Sequence, residues 1–65
     1  MELVINGERK ELEVSTLQDV IDHYGLQGKP IVAEVGGVVL VNSQWAKCPV
    51  LPGMRIELVH FVGGG

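Results

Sequence analysis

One short segment with helical periodicity, flanked on both sides by strand-like segments, restricts this chain to few folds. Its apolar positions follow the i, i+3, i+4, i+7 spacing of one helix face: Leu17, Val20, Ile21 and Tyr24. We expect Ser15 to be the N-cap, with Gln18 completing a capping box and Asp19 near the positive end of the helix dipole. Gly25 is expected to end the helix as its C′ residue. A single amphipathic helix needs another layer, here a sheet, to cover its apolar stripe.

Two strand-like segments precede the helix and predict a β-hairpin. Leu3 and Ile5 alternate with outward-facing neighbours, which is the period of two expected of a half-buried strand. The pair Asn6-Gly7 is a strong signal for a two-residue turn. After this turn the alternation resumes over residues 10–14, whose inward positions are Leu12 and Val14.

Three strand-like segments follow the helix. Residues 31–35 and 38–41 are rich in β-branched side chains and flank Gly36-Gly37, so they predict a second hairpin. Residues 42–46 predict a short helical turn or loop, and the last strand is expected from Arg55 to about Phe61. The order of elements is that of the ubiquitin-like β-grasp, an α+β fold in which one helix crosses a mixed sheet of about five strands. We expect this domain to span residues 1–62 and a flexible glycine tail to span residues 63–65.

Size and charge argue against several classes of function. A chain of 65 residues supports one small core and leaves no room for a deep catalytic pocket. Its formal net charge of -3, with Arg9-Lys10 as the only adjacent basic pair, weighs against nucleic acid as a partner. The sequence lacks signal-peptide features and any apolar stretch of about 18 residues, so we expect neither export nor membrane association. The single cysteine, Cys48, cannot form an intrachain disulfide, which favours a cytoplasmic location.

The chain ends in three glycines, residues 63–65, which cannot contribute side chains to a core. Three extended residues reach about 10 Å and can enter a channel too narrow for larger residues. The carboxylate of Gly65 then becomes the group delivered to another protein. A free carboxylate is a poor acyl donor, so it needs activation, for example as an acyl-adenylate. The pair Gly36-Gly37 lacks the spacing and the Lys-Ser/Thr context of a phosphate-binding loop, so we expect no bound cofactor and ATP use by a partner.

Four segments together resemble the bacterial sulfur-carrier proteins of thiamine biosynthesis, over essentially the whole chain. They are residues 31–35, the segment Gln44-Trp45-Ala46, residues 52–59 and residues 60–65, of which the last is the most specific. A Gly-Gly ending also occurs in ubiquitin-like modifiers and in the small subunit of molybdopterin synthase. The pair Gln44-Trp45 and the short length favour the thiamine carriers.

The resemblance implies a mechanism in which the protein is a cosubstrate rather than an enzyme. An E1-like adenylating enzyme uses ATP to adenylate Gly65. Sulfur from a persulfide donor, such as a cysteine desulfurase, then displaces AMP and leaves a C-terminal thiocarboxylate. Thiazole synthase takes this sulfur for the thiazole ring of thiamine, while Gly63 and Gly64 thread the partner active sites. No catalytic residue and no metal ligand are implied for this chain.

The last strand also predicts a docking patch. By alternation Ile56 and Leu58 face the core, and Val59 and Phe61 lie on the face opposite the helix. Together with Val62 they are expected to hold the protein against both enzymes, since exposed apolar groups indicate interaction sites. The alternative is that they are edge residues covered by neighbouring loops. A carrier for molybdopterin synthesis, a ubiquitin-like modifier and a simple interaction module remain the alternative functions.

Overall fold

In the computed structural model, which describes residues 1–61, five strands form one sheet against a helix. The elements in chain order are β1 (Glu2–Ile5), β2 (Glu8–Glu11), α1 (Leu17–His23), β3 (Ile31–Val35), β4 (Val38–Leu40), α2 (Asn42–Trp45) and β5 (Arg55–His60). The strands lie in the order β2-β1-β5-β3-β4. The β1–β5 pair is parallel and the other pairs are antiparallel. The predicted α+β fold with a mixed five-stranded sheet is confirmed.

The first hairpin has the predicted two-residue turn, but its second strand begins earlier in the sequence than predicted. Asn6 and Gly7 have φ values of 51° and 82°, as a two-residue type I′ turn requires, and Ile5 pairs directly with Glu8. The strand β2 therefore begins at Glu8 and ends at Glu11, and the prediction of a strand over residues 10–14 was wrong. Leu12 follows the strand and is buried, as predicted.

The second hairpin is confirmed, with a strand end that differs by one residue. Gly36 and Gly37 have positive φ and join Val35 to its register partner Val38. Val41 was predicted to end β4, but it is the N-cap of α2 instead. Its N–H donates a hydrogen bond to the side-chain oxygen of Gln44 at 2.8 Å, which is incompatible with continuing the ladder.

The start of α1 corrects the predicted N-cap. Thr16, not Ser15, is the N-cap, and its hydroxyl accepts a hydrogen bond from the N–H of Asp19. The carboxylate of Asp19 accepts the N–H groups of Ser15 at 2.9 Å and Thr16 at 3.1 Å. These two hydrogen bonds hold the pKa of Asp19 below its ordinary value of 3.8. Gln18, the predicted capping partner, instead donates to Asp22. A carboxylate is the stronger acceptor at a helix N-terminus, so Asp19 closes the capping box.

The end of α1 follows the prediction at Gly25 but not at Tyr24. Gly25 has a φ of 66°, and its N–H donates to Asp22 while that of Leu26 donates to Ile21. These are the two hydrogen bonds of a Schellman motif. Tyr24 was predicted to complete the apolar stripe, but it is exposed at the C-cap, because the chain has already left helical geometry there.

The core lies between α1 and the inner face of the sheet, the face that α1 covers. The fully buried side chains of α1 are Leu17, Val20 and Ile21. The central strand β5 and its two neighbours, β1 and β3, contribute inward residues to the same cluster. These residues are Leu3, Ile5, Ile31, Ala33 and Ile56. Trp45 closes one end of the core at 3% exposure, and its indole N–H donates to the carbonyl of Leu40 at 3.1 Å. Trp45 therefore anchors the segment after β4 to the core.

Candidate functional site

The strand β5 holds the C-terminal part of the chain in the middle of the sheet. It pairs with β3 over five residue pairs, from Val35↔Ile56 to Ile31↔His60, and with β1 over only two. The N–H of Phe61 donates to the carbonyl of Pro30 at 2.9 Å, so the β3 side remains hydrogen-bonded to the last described residue. The last described residue, Phe61, therefore directly follows a central strand and is hydrogen-bonded to the segment that precedes β3.

On the other side of β5, the side chain of Asn6 replaces a strand partner. β1 ends at Ile5, and the N–H of Asn6 donates to the carbonyl of Ile56 at 3.0 Å. The side-chain oxygen of Asn6 then accepts the N–H of Leu58 at 2.7 Å, across 52 residues of sequence. This contact was not predicted, because only the tertiary fold brings the first turn to the last strand.

The outer face of the sheet, opposite α1, carries a group of apolar side chains near the end of β5. Val59 and Phe61 are both 46% exposed. Val32 of β3, which is half-buried, is the register partner of Val59. Val39 lies on the same face of the sheet, on the neighbouring strand β4. Val41 lies at the end of that strand and is also exposed. We call this group the outer patch, defined as Val32, Val39, Val41, Val59 and Phe61.

An open groove of about 400 Å³ lies next to this patch at the edge of the sheet. Phe61, Val41 and Val32 line one part of it, and Trp45 and Pro30 line another. Since β4 is only three residues long, it leaves the start of β3 uncovered there. The last described residue thus borders an apolar recess.

Two carboxylates interrupt the apolar character of the outer face. Glu34 of β3 and Glu57 of β5 are direct register partners, one row away from Val32 and Val59. Both residues are exposed. The face therefore combines apolar groups with a local concentration of negative charge.

The polar and ionisable side chains of residues 1–61 are all at least partly exposed to solvent. Among residues 1–61 no polar or charged side chain is buried, and no group of three or more His, Cys, Asp or Glu residues is placed to hold a metal ion. Cys48 is a half-buried free thiol whose Sγ lies 3.9 Å from the carbonyl of Pro49. Nor does any helix in this range have the length and apolar character to cross a membrane.

The predicted site residues divide into two groups. Val59 and Phe61 lie among the described residues, at the positions given above. Val62, Gly63, Gly64 and Gly65 lie outside residues 1–61. Sequence reasoning missed Val32 and Val39 as members of the same face. The alternation of β3 and β4 contained that signal, since Val32 precedes the inward Ala33 and Val39 precedes the inward Leu40.

Comparison with known proteins covers the whole chain. The model of the ThiS family matches residues 3–65. The sulfur carrier protein ThiS of Bacillus subtilis is 29% identical over 65 residues, which are 97% of this chain and 98% of that protein. A thiazole synthase of Paramagnetospirillum magneticum is 32% identical over 66 residues. That match includes 100% of this chain but only 20% of the synthase, so the chain spans about a fifth of that relative's length.

Solved structures show the same fold. The crystal structure of the thiamine biosynthesis protein ThiS from Geobacter metallireducens matches with a TM-score of 0.82 at 23% identity, covering 100% of both chains. A solution structure of a thiamine biosynthesis protein from the same organism matches with a TM-score of 0.76, covering 100% of this chain and 88% of the other. At this identity the likeness establishes the fold.

Proposed function

The chain belongs to the ThiS family, the sulfur carriers of thiamine biosynthesis, and from that premise we propose that its working group is the C-terminal carboxylate of Gly65. The observation that carries the proposal is the match of the family model through residue 65, together with a described domain that has no buried polar side chain with which to perform catalysis. Other proteins then perform the chemistry, and this domain presents the chain end to them.

The loading reaction follows from the chemistry of a carboxylate. A partner of the E1-like class transfers AMP from ATP to the carboxylate of Gly65, with pyrophosphate leaving, and so makes it an acyl donor. The terminal sulfur of a persulfide, supplied for example by a cysteine desulfurase, attacks the carbonyl carbon and displaces AMP. A thiol, for example a second cysteine of a partner enzyme, then attacks the donor's sulfur in the resulting acyl disulfide, which forms a disulfide with the donor and releases the thiocarboxylate on Gly65. Gly63 and Gly64 offer no side chains to obstruct entry into a narrow active site.

Thiazole synthase is the proposed acceptor of the sulfur. The Paramagnetospirillum thiazole synthase contains a segment similar to this entire chain, so a carrier-like sequence and a synthase occur there in one polypeptide. That arrangement supports a working contact between the two. It favours thiazole formation over molybdopterin synthesis and over protein modification as the use of the loaded tail.

The outer patch is the proposed docking surface for these partners. Its members Val39 and Val59 are 56% and 46% exposed, and Phe61 directly follows the last residue of β5. Exposed apolar side chains grouped on one face indicate an interaction surface. We include Val62, the next residue along the chain, as predicted from the sequence.

The test is loading of the purified protein. Incubation with ATP, the adenylating enzyme and a persulfide donor should replace one oxygen of the terminal carboxylate by sulfur, and intact mass spectrometry should show the corresponding increase. A variant lacking Gly65 is the matched control, since the domain is unchanged and only the reacting residue is removed. Loading of that variant at the wild-type rate would refute the assignment of Gly65. Isopeptide bonds to lysines of other proteins, instead of a thiocarboxylate, would identify a modifier.

A further inference from the structure

The outer face of the sheet holds two like charges directly opposite each other. Glu34 and Glu57 are register partners in the antiparallel β3–β5 pair, so their Cβ atoms stand roughly 5 Å apart. Like charges in this relation destabilise a sheet. The pair lies in the middle of the sheet, on strands β3 and β5 between β1 and β4.

No cation of residues 1–61 forms an ion pair with either carboxylate. Within residues 1–61 the ion pairs join the N-terminal amine to Glu11 and Lys10 to Glu8, both at the β1–β2 hairpin. Arg55 is on the same face as Glu57, but it is the register partner of Val4 and forms no ion pair with either carboxylate. The two carboxylates are thus left to solvent in the free protein.

Apolar side chains border the carboxylates on two sides. Val39 is the register partner of Glu34 across the β3–β4 pair, and Val32 and Val59 form the next row. A protein that covers these valines also covers the carboxylates, and a carboxylate removed from water needs a positive partner with good hydrogen-bond geometry. A guanidinium group, with its planar fork of donors, can bond two neighbouring carboxylates at once. The net charge of -3 further favours approach of a basic surface.

We propose that Glu34 and Glu57 together bind an arginine side chain of the adenylating enzyme, set among apolar residues that cover Val39 and Val59. This inference rests on the proposed function, because it names the recognition that precedes loading of Gly65. Glu57 precedes Gly65 by eight residues, so the Cα atoms of these two residues lie at most roughly 29 Å apart. The contact therefore selects the partner at a site on the strand that precedes the tail.

The experiment compares the double variant Glu34→Gln/Glu57→Gln with wild type in two assays. In the loading assay we expect kcat/KM to fall at least about tenfold at low salt, with kcat at saturating carrier unchanged, since a docking contact of this kind affects encounter and binding. The decrease of kcat/KM with added salt should also become shallower. In thermal unfolding the double variant should melt at a higher temperature than wild type, because the repulsion is gone. A purely structural role would not produce this combination.

The matched control is Asp22→Asn, which removes one negative charge from α1 on the opposite side of the sheet and keeps an oxygen to accept the hydrogen bond from Gln18. It should leave kcat/KM nearly unchanged. If wild type is loaded and the double variant is loaded with the same kcat/KM and salt dependence, the inference is wrong while the proposed function stands. If the double variant melts below wild type, the premise of repulsion is wrong. If wild type itself is never loaded, the proposed function fails and the inference fails with it.

Discussion

Replacing Asn6 by alanine tests whether the first turn positions the last strand. Asn6 has a φ of 51°, in the left-handed region, and its side-chain oxygen accepts the N–H of Leu58 at 2.7 Å. Alanine removes the acceptor and places a residue that disfavours this conformation at the same backbone position. The substitution therefore removes one hydrogen bond and adds backbone strain.

The size of the effect can be worked out from these two contributions. A hydrogen bond between uncharged groups contributes about 1 kcal/mol to the free energy of unfolding, and Leu58 is partly open to water that can replace it. The left-handed conformation costs alanine about 1–2 kcal/mol. The sum is about 2–3 kcal/mol, against roughly 3–5 kcal/mol for the whole core of so small a domain. The midpoint of thermal unfolding should fall by roughly 10–20 °C.

Two further variants at position 6 separate the contributions. Asn6→Gly removes the acceptor but accepts positive φ, so it should lose only about 1 kcal/mol. Asn6→Asp keeps an acceptor and tolerates the same conformation, so at neutral pH it should stay close to wild type. Thermal unfolding monitored by circular dichroism measures all three. Hydrogen exchange should show loss of protection at the Leu58 amide in the alanine and glycine variants and not in the aspartate variant.

The reasoning would be refuted by an alanine variant that melts within two or three degrees of wild type. Equal stability of the alanine and glycine variants would show that the left-handed conformation of residue 6 costs alanine nothing. An unchanged exchange rate at Leu58 in all three variants would show that Asn6 does not hold the strand that leads to the tail.

Three other predictions concern charge and docking. Because the pKa of Asp19 is lowered, its stabilising effect is present above the unfolded value of 3.8 and is lost as pH falls through the folded pKa. Asp19→Asn should therefore have a lower melting temperature than wild type at pH 7, and the two proteins should melt at similar temperatures in strong acid. The hydrogen bond to Glu11 raises the pKa of the Met1 amine above 8.0, so this contact stabilises the protein below pH 8 and is lost as pH rises through the folded pKa. The melting temperature of Glu11→Gln should therefore be lower than that of wild type below pH 8, and the difference should become smaller above the folded pKa. Phe61→Asp should reduce kcat/KM for adenylation without unfolding the domain. Tyr24 is an exposed aromatic residue at the end of α1, and Tyr24→Asp should leave kcat/KM unchanged. Equal values of kcat/KM for the two variants would exclude the outer patch as the docking surface.

Much of the local structure could be predicted from the sequence because its signals act over a few residues. A two-residue type I′ turn requires positive φ at both central residues, which asparagine and glycine tolerate, so Asn6-Gly7 and Gly36-Gly37 predict turns, and the structure has both. Gly25 ends α1 for the same reason. The error at the start of α1 was also local. Asp19, and not Gln18, completes the capping box, since a carboxylate accepts two backbone N–H groups more strongly than an amide does.

The candidate site was only partly predictable, because its members come from different strands. Alternation along β5 predicted the outward direction of Val59, and that is where the structure places it. Alternation does not show which strand lies beside β5, so the neighbours Val32 and Val39 were missed. The assignment of Gly65 came from the residue types at the chain end and from a family resemblance, and it stays a prediction tested by loading.

The sequence by itself determined the order of elements, both hairpin turns and most of the inward residues, such as Leu17, Val20 and Ile21 of α1, since these depend on short-range periodicity and on the conformations that glycine and asparagine allow. Only the tertiary structure decided that β5 lies between β1 and β3, and that Glu34 therefore faces Glu57 while Asn6 reaches Leu58. The physical reason is that strand neighbours are chosen by burial of the whole inner face against α1, to which residues far apart in the chain contribute together.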